Sequence, residues 1–171
     1  MIVTIKVGDL LAEIENEKLD AVMNAANGYG PMGVGIAGAI RRVGGEEIEA
    51  DAFAVCQNNN PNPGDAYSTV SGRLKDKGIK SIIHAVTMKR AGGNTSYEIV
   101  KNAFESALNL AIESGIKRIG CTALGTGVGQ LSHNKVADIM FEIANKKEGI
   151  EVVFIDFNRF FIDRLKELKA V

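Results

Sequence analysis

With 171 residues, 46% of them apolar, the chain can fill one hydrophobic core and is too short to suggest two, so a single domain over 1–171 is expected. Lys and Arg number 20 against 21 Asp and Glu; a net charge of -1 offers no basic surplus for a run of phosphates, which disfavours a polynucleotide partner. Only Cys56 and Cys121 are cysteines, the start MIVTIKVGDL lacks the features of a signal peptide, and no apolar run approaches the ~18–20 residues that span a bilayer; a soluble, cytoplasmic protein without a membrane partner is expected.

Taken in chain order, residues 2–7 alternate Val3, Ile5 and Val7 with Thr4 and Lys6 and stop at Gly8-Asp9, which predicts a strand with Asp9 at its junction to a helix. Ala21-Val22-Met23 reads as a buried strand. Ile36, Ala37, Ile40 and Val43 mark a helix stopped by Gly44-Gly45, and Ile48, Ala52, Phe53 and Cys56 mark the next. Gln57 to Gly64 (QNNNPNPG) has turn chemistry throughout and predicts a surface loop. Strands are expected within 66–70 and over 79–86. Thr95-Ser96-Tyr97-Glu98 reads as a capping box opening a helix through Val100, Phe104, Leu108 and Ala111, closed by Gly115. A strand over 116–121, a helix from Val136 to Ala144, a strand over 152–157 and a helix carrying Phe161, Leu165 and Leu168 complete the chain. This alternation predicts an α/β fold, a three-layer α/β/α sandwich around a mixed, largely parallel central sheet, with ligands beyond the carboxyl ends of the strands.

Two glycine-rich segments each follow a predicted strand and precede a predicted helix: Asn27 to Gly38 (NGYGPMGVGIAG) and Gly125 to Gly129 (GTGVG). Such turns let backbone N–H groups converge on an anion with a helix dipole behind them, and two of them can clamp a diphosphate. Gly33, Gly35 and Gly38 also satisfy GxGxxG, the dinucleotide fingerprint. Its acidic partner would be Asp51, but Asp51 falls inside a predicted helix, and the insertion Gly28-Tyr29-Gly30-Pro31-Met32 does not suit a tight Rossmann turn. Asn24 and Asn27 flank Ala25-Ala26 at a strand end, where an amide can hold a ribose hydroxyl or simply fix the turn.

The assembled pattern, DAVMNAANGYGPMGVGIAGAI over 20–40 and ALGTGVGQL over 123–131, with the early Val7-Gly8-Asp9-Leu10 and the closing strand with Phe157, resembles the macro domain family over essentially the whole chain. The resemblance implies an ADP-ribose cleft. Asp9 would accept from the adenine amino group, Leu10 N–H would contact the ring, and Phe157 would stack on it. Asn27 would hold the distal ribose and is the one candidate catalytic residue. Gly33, Val34, Gly35 and Ile36 would form the first phosphate and ribose loop, and Gly125, Thr126, Gly127, Val128 and Gly129 the second.

Two departures bear on catalysis. In the family's strongest hydrolases the first loop reads GGGVDGAI, with an aspartate that activates water; the aligned run here is GVGIAGAI, with Ala37 in that place. Members with alanine there, viral ones included, still cleave ADP-ribosyl bonds through the asparagine and a phosphate-bound water. Gly129 replaces an aromatic, which leaves the distal ribose less enclosed.

His84, within an apolar strand, reads as a packed, hydrogen-bonded residue and Cys121 as a small core hydrophobe; neither they nor His133 have a triad or metal-ligand partner nearby, so no metal is expected. Three readings follow: a module that binds ADP-ribose, free or protein-attached; a hydrolase of ADP-ribosyl esters such as O-acetyl-ADP-ribose, ADP-ribosylated carboxylates or ADP-ribose 1''-phosphate; and a nicotinamide-dependent oxidoreductase, which lacks its ribose-binding acid. The first two need no cofactor beyond the ADP-ribosyl ligand.

Overall fold

The computed structural model describes residues 3–171; Ile2, where the first strand was expected to begin, lies outside them. Six strands form one sheet in the order β1-β6-β5-β2-β4-β3: β1 (Val3–Val7), β2 (Ala21–Asn27), β3 (Ala66–Thr69), β4 (Ser81–Met88), β5 (Arg118–Cys121) and β6 (Glu151–Asp156). Every pairing is parallel except that of the edge strand β3 with β4. The helices are α1 (Gly35–Gly44), α2 (Glu46–Asn59), α3 (Tyr97–Glu113), α4 (His133–Lys146) and α5 (Arg159–Ala170).

The strand period of two sends alternate residues to opposite faces, and each face builds its own core. Met23, Ile83 and Phe154 pack with Phe104 of α3, Met140 of α4 and Phe161 of α5. Val22, Ile82 and Ile155 pack on the other face with Ile40 of α1, Ile48 of α2 and the segment Leu10 to Leu19. The result is the expected three-layer sandwich. Because β2, β5 and β6 run parallel, their carboxyl ends and the loops that follow them open on one side of the sheet.

Local differences from the sequence reading have physical causes. Strand β2 continues through both asparagines, and β4 runs on to Met88 because Gly28 N–H donates to Met88 O (3.1 Å) and Lys89 O (2.9 Å). Helix α2 takes in Gln57 to Asn59, so the surface loop begins only at Asn60, whose φ of 46° and N–H to Cys56 O end the helix. The cap of α3 is Ser96, whose Oγ accepts from Ile99 N at 3.1 Å, one residue later than a Thr95–Glu98 box requires. Strand β6 stops at Asp156, leaving Phe157 in the turn before α5.

Candidate functional site: a cleft between two glycine loops

A cavity of about 640 Å³ opens at the carboxyl ends of β1, β2, β5 and β6. That is the volume range, about 300–1,000 Å³, of small-molecule sites. Asp9, Leu10, Asn27, Phe157 and the two runs Gly33 to Ile36 and Gly125 to Gly129, apart from nothing but Asn24 among the predicted positions, all lie in its lining. At one end Leu10 is buried while Asp9 is exposed, and the Phe157 ring stands 70% exposed, its face free for a planar ligand.

Helix α1 begins without a side-chain cap. Val34 is the N-cap and accepts no cap bond, the first turn holds no acidic residue, and the first intrahelical bond runs from Gly38 N to Val34 O at 3.1 Å. The N–H groups at the start of the helix therefore have no intrahelical partner, and Gly35, Ile36 and Ala37 line the cavity there. Helices α3, α4 and α5, by contrast, are capped by Ser96, Ser132 and Asn158. Among the described lining residues there is no Lys, Arg or His and there are two aspartates, so the groups there that could attract an anion are backbone N–H groups and the α1 dipole.

Asn27 is built into the first loop. Its Oδ1 accepts from Tyr29 N (2.9 Å) and Gly30 N (2.8 Å), and its Nδ2 donates to Pro31 O (3.0 Å). Two backbone donors on one oxygen fix the amide orientation, and one Nδ2 hydrogen is left over to donate into the cavity. Asn27 thus fixes the turn and lines the cavity at once.

The second loop is anchored by a residue that the sequence did not single out. Asp156, half-buried at the end of β6, accepts from Ala123 N (3.0 Å) and Asn158 N (2.8 Å), so one carboxylate ties the start of the second loop to the turn bearing Phe157. A strand-end aspartate beside an aromatic reads in sequence as a solvated charge; only the fold brings Ala123 to it. Thr87, Met88, Ala91 and Gly92, from β4 and the loop after it, add a wall that no motif announced.

The macro domain family model matches residues 23–140. This chain belongs to the macro domain family. A curated relative from Aquifex aeolicus, itself uncharacterised, is 36% identical over 148 residues, 84% of this macro domain and 86% of the relative. An O-acetyl-ADP-ribose deacetylase of Citrobacter rodentium is 36% identical over 118 residues, 68% of this chain and 65% of that enzyme. Some other relatives are longer, and the match spans only 20% of one from Thermotoga maritima. Among solved structures, a substituted Oceanobacillus iheyensis macrodomain with ADPR superposes with a TM-score of 0.78 at 23% identity, covering 96% of this chain and 91% of that one.

Asn24 requires a correction within this macro domain. It does not line the cavity: three positions before Asn27 on a strand, it faces the other side of the sheet, buried, with Nδ2 donating to His84 Nδ1 at 3.1 Å. His84 Nε2–H in turn donates to Thr69 Oγ1 at 2.8 Å, whose hydroxyl donates to Val70 O at 3.1 Å, and the Tyr67 ring stacks on the imidazole with centroids 4.6 Å apart. Burial pushes the imidazole down to about 3, which keeps it neutral and makes it a structural residue. Burial likewise pushes the Cys121 thiol up, away from nucleophilic character. Asp51 sits in α2 with its carboxylate accepting from Val70 N at 2.8 Å, so it closes the end of β3 and holds no ribose.

Proposed function

We propose that the cleft binds ADP-ribose and that the protein hydrolyses ADP-ribosyl esters there. The observation that carries the binding reading is the open N-terminus of α1, uncapped by any side chain, facing a second glycine loop across a cavity with no cationic side chain among the described lining residues. Such a site suits a diphosphate held by main-chain donors. Asp9 and Phe157 at the other end would accept from and stack on the adenine, and the ADPR in the Oceanobacillus iheyensis structure supports the same ligand class.

Hydrolysis is favoured by the 36% identity to an O-acetyl-ADP-ribose deacetylase. Ala37 offers no base in the first loop, and the carboxylates in the lining are Asp9 and Asp156, the second of which is already engaged. The base would then be the ligand's own phosphate, held at α1. A water donates its proton to that phosphate as its oxygen attacks the acyl carbon; the bond to the ribose oxygen breaks, and that oxygen takes the proton. The free Nδ2 hydrogen of Asn27 would orient the ribose, since an amide donates and cannot serve as the base. Cytoplasmic location and ADP-ribosylated proteins as partners belong to the same proposal.

Calorimetry with ADP-ribose, followed by release of free ADP-ribose from excess O-acetyl-ADP-ribose and from an ADP-ribosylated glutamate peptide, tests both halves. Saturable binding with many turnovers is expected. Binding without turnover reduces the protein to a reader, and NADH binding that ADP-ribose does not compete would overturn the reading.

A further inference from the structure

The second glycine loop is seated on the start of α3 and on Thr95 just before it. Thr95 lies with its Cγ2 where a β-carbon on Gly129 would come within 2.5 Å, and Val100 Cγ2 stands 2.8 Å from the β-carbon position of Gly125. Beyond the loop, Ser132 N–H donates to Tyr97 Oη at 3.0 Å. Ser132 is the N-cap of α4, so this main-chain donor is one the helix cannot satisfy, and its own Oγ is occupied by Lys135 N at 3.4 Å. The Tyr97 ring is held in turn by Lys135, whose Nζ lies 5.4 Å from the ring centroid. Within the loop, two backbone bonds, Leu131 N to Gly125 O (3.0 Å) and Gln130 N to Gly127 O (3.1 Å), close the turn but tie it only to itself. Gln130 adopts a φ of 57°, a left-handed conformation that non-glycine residues seldom take.

From this geometry we infer that Tyr97 is a positioning residue for the second loop. Its hydroxyl fixes the loop's exit at Ser132, as Asp156 fixes its entrance at Ala123, and so sets the shape in which Gly127 and its neighbours receive a diphosphate. Tyr97 does not line the cavity and touches no ligand there. The role rests on the ADP-ribose reading of the cleft for its ligand, and on the Ser132–Tyr97 bond for its mechanism.

The test is Tyr97→Phe, which keeps the ring and its packing. Amide exchange in the folded protein should quicken about tenfold or more across 126–132 and stay as it was in β2 and β6. The dissociation constant for ADP-ribose should rise about three- to tenfold, the span of one net hydrogen bond, with that for adenosine unchanged. A loss shared equally by adenosine would mark general destabilisation and overturn the proposal. So would unchanged exchange over 126–132, or faster exchange with unaltered ADP-ribose affinity. A parent protein that binds no ADP-ribose removes the ligand reading instead, and exchange alone then decides whether Tyr97 holds the loop.

Discussion

The two glycine loops face each other across one cavity, yet their glycines are there for different reasons. In the first loop, β-carbons on Gly33 and Gly35 would meet nothing within 4 Å, and Gly35 is required by its φ of 59°. In the second, a β-carbon on Gly129 would lie 2.5 Å from Thr95 Cγ2 and 2.6 Å from Gly125 O, and one on Gly125 would lie 2.8 Å from Val100 Cγ2. Only Gly127 stands in open space there, with an ordinary φ. The Gly33–Gly35 stretch is therefore free of packing constraint, although earlier in the same segment a β-carbon on Gly28 or Gly30 would press on Pro61 O (2.6 Å) or Phe53 N (2.8 Å), while Gly125 and Gly129 of the second loop are held to what lies beneath it. The same packing explains why no aromatic occupies position 129: Thr95 fills its space.

Substitutions can break this contrast, and Gly129→Val should do most damage. One of the two obstructing atoms is backbone, so the loop must shift, and denaturant unfolding should report a stability loss of about 2–3 kcal/mol together with weaker ADP-ribose binding. Unaltered stability would mean that the loop yields freely and is not shaped from below. Gly127→Val separates binding from folding in the same loop. Its side chain points into free space where a diphosphate would approach, so ADP-ribose affinity should fall at least about tenfold, or ~1.4 kcal/mol, with adenosine affinity and stability retained.

A perturbation inside the sheet, at a residue that does not line the cavity, serves as the reference. His84 is neutral when folded, with its pKa pushed down to about 3 from 6.5. Between those values the unfolded chain takes up a proton that the folded protein does not, so stability should fall as pH drops from 6.5 toward 3, by up to about 1.4 kcal/mol per pH unit. Denaturation midpoints from pH 7 to pH 4 would check this, and a His84→Met variant should lose that part of the slope. Gly35→Ala is the mildest. Open space leaves only the cost of a left-handed alanine, about 1 kcal/mol, so scanning calorimetry should show slightly reduced stability.

Much of this was legible in the sequence because the signals were local. β-Branched runs marked the strands, apolar spacing of three and four marked α3 and α4, and the glycine segments fell where strands hand over to helices. Asn24 looks like a partner of Asn27 in sequence, but the strand period puts residues three apart on opposite faces, and only the pairing of β2 with β4 reveals His84 as its partner. Asp156 and Tyr97 were out of reach for another reason. Each acts on a main-chain N–H, Ala123 and Ser132 respectively, and main-chain donors leave no trace in residue identity. Thr95 and Ser96 are equally good caps by composition, and it is Ser96 that caps the helix.

Asn27 also has a chemical lifetime that depends on the fold. It precedes Gly28 in the chain's one Asn-Gly pair, the dipeptide in which the next backbone nitrogen most readily attacks the side-chain amide and expels ammonia. In the folded protein that nitrogen donates to Met88 O and Lys89 O, while the amide oxygen is held by Tyr29 N and Gly30 N, so the two reacting groups are kept apart in orientation. Unfolded chains have no such restraint. Protein held in denaturant at neutral pH should accumulate aspartate and isoaspartate at position 27, detectable by peptide mass mapping, far faster than native protein does. Refolding would then place a carboxylate in the cavity lining beside the proposed phosphate site, so that each unfolding event would leave a small, cumulative and irreversible chemical mark on the cleft.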